Sequence, residues 1–546
     1  MTEVHLKKGN TVTGTVERID YPNKGRVLLS ADAPDGIEPV LVKNVLPGEK
    51  IELQLKKKRR GRWEGVKLKT LEPGPGAEPP VCPHAYHTGG PDEGQTCAGG
   101  CGGCAYQGLS YEAQLELKEA QITRLLDSVQ LSGDGSGTEV RSADTDGGPE
   151  TAQPGDRYGW EGIISSPVRT DYRNKMEFTF GDEYRDGPLA LGLHKRGAFH
   201  DIVTADGCRI CDPDFSKILR ATLDYFTETG TPYYHRKFHT GYLRHLLVRK
   251  ARATGEILVD LITAGPQALQ GERSGAEGND LIDKEIKLLT GWRQKLLRLD
   301  RSAEFSPDND EVASSDNKET AVLTGRFAGI LHTKNDRLGD VIADEGTTVL
   351  YGSDSFTEEL LGLKFRISPF SFFQTNSAGA EVLYRKVREY LGDTGGKLVY
   401  DLYSGTGTIA QIIAPAAERV VGIEIVPEAV QAARDNARIN GLTNCEFLCG
   451  DVFEVLDKQM AAGQGPDLIV LDPPREGVRP AALEKILGYQ AERIVYVSCQ
   501  ITSLVRDLPA FTEAGYTPVR TCSVDMFPYT TGIETVIHLI NQNAKS

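Results

Sequence analysis

The last third of the chain constrains the fold most. Lys397-Leu398-Val399-Tyr400-Asp401-Leu402 reads as a buried strand that runs into Tyr403-Ser404-Gly405-Thr406-Gly407-Thr408 and then a helix. Val420-Val421-Gly422-Ile423-Glu424 is the next strand, a helix follows over Pro427–Asn440, and Asp467–Leu471 and Ile494–Val497 are further strands. Strands alternating with helices bury both faces of a parallel sheet, which predicts a doubly wound α/β fold.

In such a sheet, ligands bind beyond the carboxyl ends of the strands. Gly405 and Gly407 close the first strand, and their bare backbone lets a ligand approach. Glu424 ends the second strand, where a carboxylate can accept from both ribose hydroxyls, and Asp451 ends the third, near a base. The third glycine of a GxGxxG fingerprint is missing, so no tailored pyrophosphate cradle is expected. Two glycines alone are weak evidence. With Glu424 and with Asp472-Pro473-Pro474 after the fourth strand, the set resembles the S-adenosylmethionine site of Rossmann-like methyltransferases. The competing reading is an NAD-type enzyme or an inactive sheet.

Cys499 ends the strand Ile494–Ser498, facing the ligand crevice, and a thiol there is positioned as a nucleophile. A single Cys is more often a small buried hydrophobe, but the polar neighbours Ser498 and Gln500 favour function. Glu534 stands at the mouth of an apolar strand, Thr535–Ile540; the plain alternative is a surface carboxylate.

These segments, in this order, resemble the RNA uracil-5-methyltransferases that use S-adenosylmethionine. The matching motifs are Ser371-Phe372-Phe373-Gln374-Thr375-Asn376, Asp401–Gly407, Asp472-Pro473-Pro474-Arg475, Val497-Ser498-Cys499 and Asp525-Met526-Phe527-Pro528 with Glu534. Tyr172–Phe178 and Gly192-Leu193-His194 match upstream. The resemblance implies that Cys499 adds to carbon 6 of uracil, that Glu534 removes the proton from carbon 5, and that Asp472 holds the base. It also implies that Gln374, Tyr403, Gly405, Thr408, Glu424, Asp451 and Asp472 hold the cofactor. The chain departs from the family at Tyr529 and Gly532, where His is usual, which puts the surroundings of the base in doubt.

The other end of the chain reads differently. Thr11–Ile19, Arg26–Leu29, Val40–Val42, Ile51–Leu55 and Gly65–Leu71 are short strands between Gly/Pro turns, which predicts a small closed barrel. The chain carries a net charge of −15, which on average argues against nucleic-acid binding. Residues 1–70, however, hold 15 Lys/Arg against 9 Asp/Glu, including Lys56-Lys57-Lys58-Arg59-Arg60-Gly61-Arg62. A basic head on an acidic body permits RNA binding by one module, and the resemblance identifies it as an OB-like TRAM barrel. Ser110 is a plausible cap for a helix with Leu115, Ile122, Leu125 and Leu126 on one face, and Leu281–Leu299 reads as another helix. Residues 132–157, 265–279 and 302–319 are polar and read as insertions.

Ten cysteines in a chain with no apolar signal core suggest metal binding or catalysis rather than crosslinks. Cys82, Cys97, Cys101 and Cys104 crowd together, and Cys97-x3-Cys101-x2-Cys104 also fits the spacing of radical S-adenosylmethionine enzymes. The resemblance implies instead a 4Fe–4S cluster on Cys82, Cys101, Cys104 and Cys208, with Cys97 as a substitute for Cys82; four thiolates suit zinc as well.

The expected architecture is therefore α/β: a barrel over 1–72, a central α+β domain with the Cys cluster over 73–105 and 156–365, and a Rossmann-like methyltransferase domain over 106–131 and 366–546. The expected protein is a cytoplasmic monomer, bound to no membrane, that methylates a uridine of large-subunit (23S) ribosomal RNA. The alternatives are a tRNA T-loop uridine and a radical iron–sulfur enzyme.

Overall fold

The computed structural model describes residues 6–30, 38–85, 100–129, 158–198, 200–269, 278–302, 322–339, 341–342 and 344–544. Of the polar insertions, 132–157, 270–277 and 303–319 lie outside these residues.

Strands β1 (Thr11–Asp20), β2 (Lys24–Leu29), β3 (Val40–Lys43), β4 (Lys50–Arg59) and β5 (Arg62–Glu72) close a barrel in the order β1-β2-β3-β5-β4, as the turn spacing predicts. Alternation fills it: Ile51, Leu53 and Leu55 of β4 point inward to meet Val16, Val27, Val40 and Val42. At Gly14 an added Cβ would stand 2.5 Å from the Leu28 carbonyl, so only glycine lets these strands cross. Arg60 and Gly61, both at positive φ, turn β4 into β5 and carry the exposed basic run outward.

Helix α1 (Tyr111–Asp127) follows, with Ser110 Oγ accepting from the Ala113 amide at 3.2 Å. Its buried face differs from the expected one. Tyr111, Gln114, Leu117, Lys118, Gln121, Ile122 and Leu126 are covered, whereas Leu115 and Leu125 are half-exposed.

Next come β6 (Trp160–Ile164), β7 (Lys175–Asp182), β8 (Leu189–His194), β9 (Ile202–Thr204), α2 (Pro213–Glu228), β10 (Leu243–Lys250), β11 (Glu256–Thr263), α3 (Gly278–Leu297), β12 (Arg326–Lys334) and β13 (Thr347–Gly352). Seven of these strands form one sheet in the order β13-β12-β11-β10-β7-β8-β9. Phe178, Leu246, Phe226 of α2 and Trp292 of α3 share its core. A hairpin of β14 (Phe356–Leu360) and β15 (Leu363–Ile367) leads to α4 (Ser377–Leu391).

The C-terminal part runs β16 (Leu398–Leu402), α5 (Thr408–Ile413), β17 (Arg419–Glu424), α6 (Pro427–Ile439), β18 (Cys445–Cys449), α7 (Val452–Ala461), β19 (Leu468–Leu471), α8 (Pro480–Gly488), β20 (Arg493–Ser498), α9 (Ile501–Glu513), β21 (Tyr516–Val524) and β22 (Glu534–Asn541). The sheet order is β18-β17-β16-β19-β20-β22-β21-β6, so Trp160–Ile164 joins this sheet and not the central one. Strands β18 to β20 are parallel and β22 is antiparallel to β20. The chain order reverses between β16 and β19, which opens a crevice at their carboxyl ends. Among the described residues no helix is long and apolar enough to cross a membrane.

Candidate active site

The crevice begins at Asp401, the last but one residue of β16, which is fully buried. Its Oδ2 accepts from the Ala410 amide at 2.9 Å, while Oδ1 has no hydrogen-bond partner among the described residues. Burial, and then Asp472, push this carboxyl up to about 8. The loop that follows holds Tyr403, Gly405 and Gly407 at φ of 65°, 54° and 73°. A Cβ on Gly407 would stand 2.5 Å from the Phe447 ring, so this turn requires glycine. The Gly405 amide donates to Glu424 Oε2 at 3.0 Å, and the Val426 amide donates to Oε1 at 2.9 Å. Ser404 Oγ is buried and has no partner among the described residues. Two orphaned polar atoms beside an open glycine turn fit a polar ligand such as a nucleoside cofactor.

The other expected cofactor residues surround this loop. Thr408 opens α5 and is buried. Gln374 is buried and hydrogen-bonded to the Tyr384 phenol of α4. Asp451 is committed twice already, accepting from the Phe453 amide at 2.9 Å and pairing with Arg479.

Three acidic groups meet across the neighbouring strands. Asp472 follows β19, Cys499 follows β20, and the pairing Ser498↔Thr535 sets Glu534 opposite Cys499. Burial, then Glu534 and Asp472, push the Cys499 thiol up to about 11, against the pull of Arg475. Glu534 is 4% exposed; burial and then Asp472 hold its carboxyl well above the usual range, again opposed by Arg475. Burial pushes Asp472 up to about 7. A thiol, two proton-hungry carboxyls and one guanidinium can together supply a nucleophile and a base.

Residues remote in sequence hold this arrangement. The loop between β21 and β22 is tied by Lys118 Nζ, which donates to Asp525 Oδ1 at 2.7 Å and to the Gly532 carbonyl at 3.0 Å. Gln114 Oε1 accepts from the Tyr529 amide at 2.8 Å, and the Tyr172 hydroxyl donates to the Pro528 carbonyl at 2.9 Å. Asn376 caps α4 through Oδ1 and donates from Nδ2 to the Met526 carbonyl at 2.8 Å. The segment before Gln374 is folded around Arg249 of β10. Its Nη1 donates to the carbonyls of Ser368, Pro369 and Ser371 at 2.7, 3.0 and 2.8 Å. Asn174 Nδ2 donates to the Gln374 carbonyl at 3.2 Å and to Ser377 Oγ at 2.8 Å.

No local sequence signal assigns a role to Arg249 or Arg475. Lys118 had a signal: with Gln114 and Gln121 it follows the helical spacing of the buried face, where polar side chains need partners. Arg249 lies in a strand buried on both faces, where no alternation marks it. The Tyr529 phenol is raised by burial, and the charged or titratable groups acting on it are Arg169, Glu78, Cys104 and Arg209. The barrel instead sends Tyr21, whose hydroxyl donates to Gln500 Oε1 at 3.3 Å. Burial, then Cys499 and Glu534, push this phenol up to about 12.

The cysteine expectation is corrected. Among the described residues no group of three or more His, Cys, Asp or Glu side chains could hold a metal ion, so the iron–sulfur, 4Fe–4S and zinc assignments to Cys82, Cys101, Cys104 and Cys208 are overturned. A hydrogen bond with Cys208, then burial, raises Cys82; burial raises Cys101 and pushes Cys104 up to about 12; a hydrogen bond with Cys211 comes first in pushing Cys208 up to about 12. Cys97, the substitute ligand, lies outside the described residues.

Residues 393–520 match the family described as methyltransferase domain. The chain is 39% identical over 98% of its length, and 98% of the relative's, to an uncharacterized RNA methyltransferase of Clostridium tetani. It is 38% identical, over 97% of its length and 99% of the relative's, to another from Caldanaerobacter subterraneus. In fold it is similar to a Pyrococcus abyssi tRNA (uracil-54, C5)-methyltransferase solved with S-adenosyl-L-homocysteine. The TM-score is 0.64 at 22% identity, over 97% of this chain and 99% of that one.

Proposed function

The chain belongs to a family of RNA methyltransferases, and from that premise we propose that it transfers a methyl group from S-adenosylmethionine to carbon 5 of a uridine in RNA. The observation that carries this reading is the meeting of Cys499, Glu534 and Asp472 beside the Gly405–Gly407 turn. A thiol next to carboxyls has no evident use in methylating an oxygen or nitrogen, which are nucleophiles already. Carbon 5 of uracil is a poor nucleophile and needs activation.

In this reading Tyr403, Gly405, Thr408, Glu424, Asp451, Gln374 and Asp472 would hold the cofactor, and Asp472 would also hold the polar edge of the base. When bound, it supplies an electrophilic methyl group on a sulfonium whose charge favours the ionised forms of neighbouring acids. Cys499 gives its proton to solvent water, the thiolate being favoured by Arg475, and bonds to carbon 6 while the C5–C6 π pair shifts toward carbon 5, which becomes nucleophilic. After carbon 5 has gained the methyl group, Glu534 takes its proton. The electron pair of that C–H bond restores the ring double bond and expels the Cys499 thiolate. Burial gives Glu534 the proton affinity this step needs.

Transfer RNA is the preferred substrate. The expectation of large-subunit ribosomal RNA leaned on a TRAM barrel together with a metal-binding Cys cluster, and the second support has fallen. The archaeal enzyme that shares this fold along almost its whole length acts on tRNA, which favours a T-loop uridine. We assign RNA binding to the barrel over 1–72 and to the central domain over 73–105 and 156–365. Catalysis falls to 106–131 and 366–546, together with Trp160–Ile164, which joins the same sheet. The test is methyl transfer from labelled cofactor to purified tRNA and ribosomal RNA, followed by nucleoside analysis. Label in 5-methyluridine from tRNA supports the reading; label in another nucleoside contradicts it.

A further inference from the structure

A second cleft, of about 330 Å³, opens where the barrel, the central domain and the catalytic loop meet. Asn23 comes from the β1–β2 turn and Lys24 opens β2, Lys43 ends β3 and Asn44 follows it, Arg196 comes from the segment after β8, and Thr531 from the loop that leads into Glu534. It holds three cationic side chains, and no carboxylate lines it among the described residues. In a chain with a net charge of −15, a carboxylate-free cationic cleft stands out against the surface field.

The geometry points to a binding site for a phosphodiester of the RNA backbone beside the target uridine; this rests on the reading of the protein as an RNA methyltransferase. Two observations beyond charge support it. Asn23 Nδ2 donates to Asn44 Oδ1 at 3.0 Å, while Asn23 Oδ1 is buried with no partner among the described residues. Exchanging oxygen and nitrogen in both carboxamides keeps their mutual bond and turns the orphan acceptor into an orphan donor, which an anion would satisfy. The cleft also adjoins the reaction centre. Tyr21, two residues before Asn23, reaches Gln500 next to Cys499, and Thr531 stands three residues before Glu534. One turn of the barrel thus faces the thiol on one side and the cationic cleft on the other. A nucleotide presented to Cys499 could leave its backbone in the cleft, whose volume suits a ligand of that size. Arg196 already donates to the Cys104 carbonyl, which fixes its guanidinium at the rim.

The test is binding of a tRNA transcript to the full chain across a salt series, for wild type, K24A/K43A and K24R/K43R. Loss of the two lysine charges facing this one phosphodiester should make the slope of log affinity against log salt shallower by about 0.7, and weaken binding roughly fourfold at ~0.15 M salt. The arginine pair should keep both values, which separates lost charge from misfolding. The same substitutions should raise KM for RNA in methyl transfer. An unchanged slope and affinity in K24A/K43A, or equal losses in both double variants, would overturn the cleft. If K24A/K43A shows the expected slope change but wild type methylates nothing, the proposed activity fails and the cleft stands.

Discussion

Lys118 Nζ lies 2.7 Å from Asp525 Oδ1, with the two side chains 1% and 0% exposed, and this pair fastens α1 to the loop that delivers Glu534. Each charge is buried against the other, so neither is tolerable alone. Lys118→Met should cost about 3–5 kcal/mol, because Asp525 would be left buried without its cation. Urea unfolding checks this. Adding Asp525→Leu should recover most of the loss; an equal loss in single and double variants would mean that the pair matters only for packing.

Arg249 should act on cofactor binding through a loop it does not share. Arg249→Met leaves the Ser368, Pro369 and Ser371 carbonyls without their donor. We expect a stability loss of about 2–4 kcal/mol, and weakened S-adenosylmethionine binding measured by calorimetry below the unfolding range. Native affinity in the folded variant would show that Gln374 does not depend on this loop.

Asp401 makes stability depend on pH. Its folded value of about 8 lies above the ordinary aspartate range, so the folded state binds the extra proton. Its contribution is fully present below about pH 4 and is lost as pH rises through about 8. Asp401→Asn keeps an acceptor for the Ala410 amide and removes the titration. Urea midpoints from pH 5 to 9 should fall more steeply for wild type than for the variant, and parallel curves would count against the assignment.

Much of this was legible in sequence because periodicity reports burial. The barrel strands, Ser110 as a cap, and the strands ending at Leu402, Glu424 and Ser498 all carry local signals. The crevice was legible for the same reason, since strand ends converge in a parallel sheet. Long-range polar partners were not. Nothing near Lys118 in sequence names Asp525, and nothing near Tyr21 names Gln500. The cysteines failed in a different way: spacing on paper suited a metal, but among the described residues no group of three or more His, Cys, Asp or Glu side chains could hold one.

The Cys499 thiol, pushed up to about 11, should be sluggish at neutral pH in the absence of cofactor. Its alkylation by iodoacetamide, followed by peptide mass spectrometry, should accelerate about tenfold per pH unit between 7 and 9. Arg475→Gln removes the cation that lowers the thiol and should slow alkylation further at each pH. A plateau below pH 8 would mean that the thiol is already ionised.

The covalent mechanism itself is tested most directly by Glu534→Gln, which keeps the side chain's size and removes its basicity. Thiol addition and methyl transfer precede the step that needs this base, so the variant should stall afterwards. Incubated with RNA and cofactor labelled in its methyl group, it should accumulate a labelled protein–RNA species that survives denaturing electrophoresis. The same species should be absent when Cys499→Ala is added. Turnover of Glu534→Gln at the wild-type rate, with no trapped species, would contradict the account.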